Sequence, residues 1–302
     1  MIFNNLLNFI NNSYIFLKKN IHSVYLNSKT YNKRITPFVV GYLEYHPSPN
    51  LLNSLIKYDK KKINIENYAL NEIWDNKNLN EKDYKNLNSF FWLFSLDLKS
   101  SKKDTQNIIL QWIDKNHSYN SKSWEVDIVA KRIIAWTSNS KLTYEDSSSD
   151  YKNKFNSVIK KQINHLINEI ERSEWVDDKM IGCAAIILTG LSYQDKNDYL
   201  NIGLNLLRKL IKFSFDSDGF PKSRNLRQLN FYLKHFILIR EWLKESQNEI
   251  PDYINENIYY LGQAYAFTWQ NNKVDLLFNG NHETNNADFD HYLKKLGYSF
   301  KN

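Results

Sequence analysis

Residues that could do chemistry are few and clustered. Asp218-Gly219 is followed by Arg224 and Asn225 at the start of a helical period, where unpaired backbone N–H groups and the helix dipole favour an anion. Arg224 there can grip a carboxylate with two parallel hydrogen bonds. A structural role is equally open, with Asn225 capping the helix and Arg224 paired to an acidic neighbour. Tyr232 lies two helical turns beyond Asn225, on roughly the same face, as a phenol for proton transfer or as a core aromatic. Near the end of the sequence, Asn279-Gly280-Asn281-His282 forms a polar turn that aims His282 at a cleft or at solvent. Trp112, Trp124 and Trp136 recur at helical spacing and either stack on the apolar face of a pyranose or fill a core; Trp124, at a helix start, is the best platform. Cys183 stands alone among Gly182, Ala184 and Ala185, which reads as a buried, inert thiol. The histidines show no metal-binding spacing, and no phosphate loop, dinucleotide fingerprint or serine-hydrolase elbow occurs, so no metal or cofactor is expected.

Helices must position these groups. Ile108, Ile109, Trp112 and Ile113 share one helical face behind Asp104, which is expected to cap them. A second helix should start near Ser123-Trp124 and carry Val126, Val129, Ala130, Ile133 and Trp136. From Tyr151 to Arg172 the apolar residues keep a 3.6 period, and Ser147–Asp150 caps that helix. Met180–Leu191 is apolar on nearly every face, as an interior helix would be. Leu200–Ile211, Asn225–Lys244 and a helix opened by Pro251 follow, with Phe215–Pro221 as a turn. Phe267–Asn281 should leave the helical pattern, with Val274–Phe278 extended, before a last helix over Ala287–Leu296. Upstream, Met1–Leu26 reads as one amphipathic helix, Arg34–Val40 as extended chain and His46-Pro47-Ser48-Pro49 as a turn.

Composition agrees with this census. Among 302 residues there are 8 glycines and 5 prolines, too few for the frequent turns of a sandwich or barrel. Aromatic residues make up 15 %, which excludes a disordered chain. One cysteine excludes an internal disulfide. The net charge of +7 is compatible with a polyanionic partner, although interleaved lysines also describe an ordinary solvated surface. No apolar run is long enough to span a membrane, and Met1–Leu17 lacks the basic flank and cleavage site of a signal peptide. The expected organisation is a lead-in over 1–85 and an all-α unit of antiparallel helical hairpins over 86–302.

Asp218-Gly219, Ser223-Arg224-Asn225, Gln228-Leu229 and Phe278-Asn279-Gly280 resemble the heparinase II/III family in its divergent alphaproteobacterial branch. So do Trp112-Ile113, Trp124, Arg132, Trp136 and the segment from Lys179 to Leu191, in order and spacing. The resemblance implies an (α/α) toroid, normally followed by an antiparallel β-sandwich that is absent from this chain, with the active site between the two. It also implies β-elimination at a uronic acid of an acidic polysaccharide. A base removes the C5 proton, a cation or amide neutralises the neighbouring carboxylate, and a phenol protonates the departing oxygen. Carried onto this chain, the catalytic candidates are Tyr232, Arg224, Asn225 and His282, and the substrate-binding candidates are Trp124, Arg132, Gln228 and Asn279. The family's active members place an acidic residue and a tyrosine soon after the Asp-Gly turn, and an asparagine or Asn-His pair at the head of the interior helix. Ser223, Gln228 and Asp177-Asp178 stand there instead. The alternative is therefore a non-catalytic carbohydrate-binding or scaffold domain. Nucleic-acid binding rests on net charge alone and is not expected.

Overall fold

The computed structural model describes residues 2–38, 41–56, 74, 79–96, 101–193, 198–270 and 287–300, with backbone only at 2–10, 270 and 287. Three helices lead in: α1 (Ile2–Leu26), α2 (Lys29–Ile35) and α3 (Pro49–Leu55). Arg34 and Ile35, read above as extended, instead close α2, because Ser28 accepts a hydrogen bond from the Tyr31 N–H and nucleates the turn. Only from Thr36 does the backbone extend.

The main unit runs through α4 (Glu81–Ser89), α5 (Lys102–Asn116), α6 (Val126–Ser138), the single turn α7 (Ser140–Thr143), α8 (Ser149–Glu169), α9 (Val176–Ser192), α10 (Tyr199–Ser214), α11 (Leu226–Glu245), α12 (Asp252–Tyr265) and α13 (Ala287–Leu296). An inner row forms where α6 packs against α4 and α9, and α9 against α11; α8 crosses α5, α6 and α9, while α10 backs α9 and α12 backs α11. Among the described residues there is no strand, only an isolated bridge between Phe215 and Pro221. The fold is all-α, of the (α/α) toroid type.

Sequence chemistry explains most boundaries. Ser148 caps α8 through the Tyr151 N–H, and Asn225 caps α11 through the Gln228 N–H. At α5 the cap is Ser101, whose hydroxyl accepts from the Asp104 N–H; Asp104 itself sits in the first turn and complements the dipole. Every residue from Met180 to Thr189 in α9 is buried, so this helix is the centre of the core. Its contact with α10 needs Gly203, where a Cβ would stand 2.9 Å from the Ile187 backbone nitrogen. Phe155, Ile159, Ile163 and Leu166 of α8 are fully buried, each contributing roughly 1.5–3 kcal/mol. After α12 the chain continues as one π turn, Ala266–Gln270, so helical backbone extends past Phe267 where the sequence pattern breaks. The expected strand at Val274–Phe278 lies outside the described residues.

The lead-in is fastened to this unit: α2 packs on α8, and α3 on α11 and α13.

Candidate functional site

Two polar clusters hold the residues singled out by chemistry, and they differ in access to solvent. The first lies among α5, α6 and α8 and is sealed. Trp124 is 1 % exposed, and its indole N–H donates to the Asn116 carbonyl at 3.1 Å. Arg132 is 0 % exposed, with Nε donating to Gln162 Oε1 at 3.0 Å and its terminal nitrogens to the carbonyls of Asn88 (2.7 Å) and Ser123 (3.1 Å). The guanidinium also lies over the Trp112 ring at 4.0 Å. Burial pushes the Arg132 pKa down to about 9. Trp112 and Trp136 meet edge to face and are fully buried. Neither Trp124 nor Arg132 is therefore a surface for substrate: the first packs, and the second ties three loops and helices to one cation. Cys183 is likewise buried, and desolvation pushes its thiol up to about 12.

His165 extends the sealed cluster to the lead-in. Its Nε2 donates to the Trp124 carbonyl at 2.9 Å, which leaves Nδ1 to accept from the Tyr31 hydroxyl at 2.7 Å. Burial lowers its pKa to about 4.

The second cluster is open on one side and lies where the first turns of α6, α9 and α11 meet. Asp177, in the first turn of α9, receives hydrogen bonds from Gln228 Nε2 at 2.9 Å and the Tyr232 hydroxyl at 3.2 Å, and pairs with Arg227 at 3.4 Å. Ser223 donates to the other end of the Gln228 amide at 2.6 Å. Tyr232 is 1 % exposed, and burial together with the Asp177 carboxylate raises its pKa, so the phenol keeps its proton. Beside it, Asp178 accepts from the Ser173 hydroxyl at 3.1 Å. Desolvation, and then the nearby Asp127 carboxylate, raise its pKa. Lys131 pairs with Asp127 at 2.9 Å on the α6 side. Three acidic first-turn residues thus offset the positive ends of α6 and α9, whereas α11 carries none and relies on Asn225.

Arg224 stands just outside this cluster. It adopts a left-handed backbone (φ 55°), donates its N–H to the Pro221 carbonyl at 2.8 Å, and pairs with Asp216 at 2.6 Å. Asn225 is the helix cap. Of the proposed site residues, the structure brings together Gln228 and Tyr232, with Arg224 and Asn225 at the adjoining turn. It moves Trp124 and Arg132 into the core, and Asn279 and His282 lie outside the described residues.

Sequence reasoning missed three residues here. Trp175, the residue before α9, is 69 % exposed, an indole at the rim next to Ser173 and Asp177. Its signal was a large aromatic directly before a helix head, off the apolar face. Asp177 was read only as a departure from a pattern, yet it collects three side chains of α11. His235, 1 % exposed, donates Nδ1–H to the Phe231 carbonyl at 2.7 Å, and its Nε2 has no hydrogen-bond partner among the described residues. Burial lowers its pKa to about 4.

No family model matches the sequence, and no curated protein sequence matches it. Among solved structures, the chain is similar to the heparan sulfate lyase HepC from Pedobacter heparinus, with a TM-score of 0.53 and 14 % identity. The similarity covers 74 % of this chain and 41 % of the lyase, so the chain spans less than half of that protein. This likeness supports a structural relation to a polysaccharide lyase of helical-toroid type, at the level of fold.

Proposed function

We propose that this chain is a polysaccharide-holding domain of lyase-like fold, with the glycan lying across the open cluster at the heads of α9 and α11. The observation that carries the reading is the convergence of Asp177, Gln228 and Tyr232 beside the exposed indole of Trp175. A carboxylate and an amide match sugar hydroxyls, and an indole face matches the C–H face of a pyranose. The fold of the solved lyase agrees with a glycan ligand of that kind.

β-Elimination at a uronate is the second reading, favoured by one observation: the Tyr232 phenol is held in its protonated form. In that reaction a base takes the C5 proton, the C4–oxygen bond breaks as the C4=C5 double bond forms, and the phenol protonates the leaving oxygen. The group neutralising the uronate carboxylate would have to be Arg224 or Arg227, because Asp177 and Asp178 occupy the head of α9 and repel an anion. That repulsion is why binding is placed ahead of catalysis.

Affinity electrophoresis of the purified chain against heparan sulfate, alginate and a neutral glucan tests both readings, with the ultraviolet absorbance of unsaturated uronate followed in parallel. Retardation by a glycan that Trp175→Ala or Asp177→Asn weakens, with no absorbance change, supports the binding reading. Absorbance growth that Tyr232→Phe abolishes establishes elimination. Retardation by no glycan overturns the proposal.

A further inference from the structure

Helix α1 carries a surface that the toroid does not use. It is pinned to the body on one side only, by Lys19 to Glu174 at 2.9 Å, His22 to Glu169 at 2.7 Å, and the buried Leu26. On the opposite side Tyr14, Leu17, Ile21 and Val24 are 62, 58, 69 and 73 % exposed. These four positions step by three, four and three residues, so they form a single stripe along the helix. In the sequence the same alternation runs back through Ile10, Leu7 and Phe3, whereas Phe16, 66 % exposed, lies off this stripe, about 100° around the helix from Leu17. The rest of the helix surface is mostly polar, with Asn11, Asn12, Lys18, Lys19 and Asn20, and also carries Ile15, 49 % exposed. A helix this apolar, with its outer side bare, gains little from water and needs a partner surface.

Charge identifies that partner. Residues 1–43 hold five basic residues (Lys18, Lys19, Lys29, Lys33 and Arg34) and no acidic one. Of 40 basic and 33 acidic residues in the chain, 35 and 33 remain beyond position 43, so the net charge of +7 resides mostly in this lead-in. A two-stranded pairing of α1 with a second copy would want acidic residues flanking the stripe to meet Lys18, and the helix has none. An anionic bilayer surface supplies both requirements, an apolar boundary for Tyr14, Leu17, Ile21 and Val24 and negative headgroups for Lys18 and the exposed Lys29 and Lys33. No described helix is long and apolar enough to cross a membrane, so α1 would lie along the surface.

We infer that α1 is an interfacial helix that docks this protein on anionic lipid, independently of the open cluster at the heads of α9 and α11. Co-sedimentation of the full chain with phosphatidylcholine vesicles, with and without about 30 % phosphatidylglycerol, tests this. Binding to the anionic vesicles only is expected, with Leu17→Glu/Ile21→Glu lowering the partition coefficient at least about tenfold. Both substituted side chains are exposed, and an unchanged thermal midpoint shows that the variant is folded. Three results would overturn the inference: no binding to either vesicle, binding that the double variant leaves intact, or a lipid-free dimer that the double variant dissociates.

Discussion

The sealed cluster around Arg132 and the open cluster around Asp177 share an arginine, amides, a tyrosine and a tryptophan, but the open one adds carboxylates and the two have opposite relations to solvent. In the first, the hydrogen bonds from Arg132 and Trp124 end on protein oxygens, and the two residues are 0–1 % exposed. In the second, Trp175 is 69 % exposed and the Asp177 side chain 25 %. Side chains suited to sugar recognition are equally suited to fastening helices together. What separates the two uses is where the helix heads are left uncovered.

The largest expected effect breaks the sealed cluster. Arg132→Ala leaves the Gln162 amide oxygen and the Asn88 and Ser123 carbonyls without their buried donor, and should cost about 3–5 kcal/mol in urea unfolding. Trp124→Ala should cost a similar ~3–5 kcal/mol through its cavity. Unchanged stability with lost glycan binding in either variant would return these residues to a site and erase the contrast.

Acid should act on both regions through neutral histidines. His165 and His235 have folded pKa values of about 4 against 6.5 when free, so between those limits the unfolded chain binds protons that the folded chain does not. Stability must then fall as pH drops from about 6.5 towards 4, by about 3 kcal/mol for each histidine. His165→Gln should remove about half of that slope, as read by urea midpoints across the window. A slope unchanged by the substitution would mean that His165 opens to solvent.

How far the sequence could be read divides along the same line. Apart from the single turn α7, helices α5 to α12 were legible because their apolar faces repeat every turn or so, and Ser148 and Asn225 have the chemistry of caps. Arg34 and Ile35 misled because the β-branched and aromatic residues around them favour extended chain locally, while the Ser28 cap decided for helix through Ile35; the chain does extend at Thr36. Trp124 and Arg132 were misplaced for a different reason. Helical period says that a residue faces inward, but a toroid has both a packed interior and an open end on its inner row, and one-dimensional spacing does not separate them. The Asp177 cluster joins positions about fifty residues apart, Asp177 with Gln228 and Tyr232, and so required the tertiary contact of α9 with α11.

Within the open cluster, Tyr232→Phe removes one hydrogen bond to Asp177 and should cost about 1 kcal/mol. Trp175→Ala should change stability by less than about 0.5 kcal/mol, since the indole is exposed. The open reading predicts that this smaller structural perturbation has the larger effect on glycan retardation, the reverse of the ranking in the sealed cluster. If Trp175→Ala leaves retardation untouched, the indole is not a platform.

The smallest effect is expected at the turn that leads into α11. Arg224→Gly deletes the ion pair with Asp216 and the contact of the guanidinium with the Phe220 ring, which at 58 % exposure of the arginine side chain together contribute about 1 kcal/mol. The same substitution releases a left-handed backbone at φ 55°, which costs a non-glycine residue about 1 kcal/mol. The two nearly cancel, so the urea midpoint should stay within about 0.5 kcal/mol of the parent. Arg224→Ala keeps the strained backbone but loses the pair, and should be the less stable of the two. Because Arg224→Gly removes the guanidinium at almost no structural cost, any change it causes in glycan retardation reports recognition itself. A selective loss on uronate polymers, with the neutral glucan unaffected, would give Arg224 the carboxylate and bring the elimination reading forward. Equal retardation on all glycans would confine Arg224 to closing the turn that leads into α11.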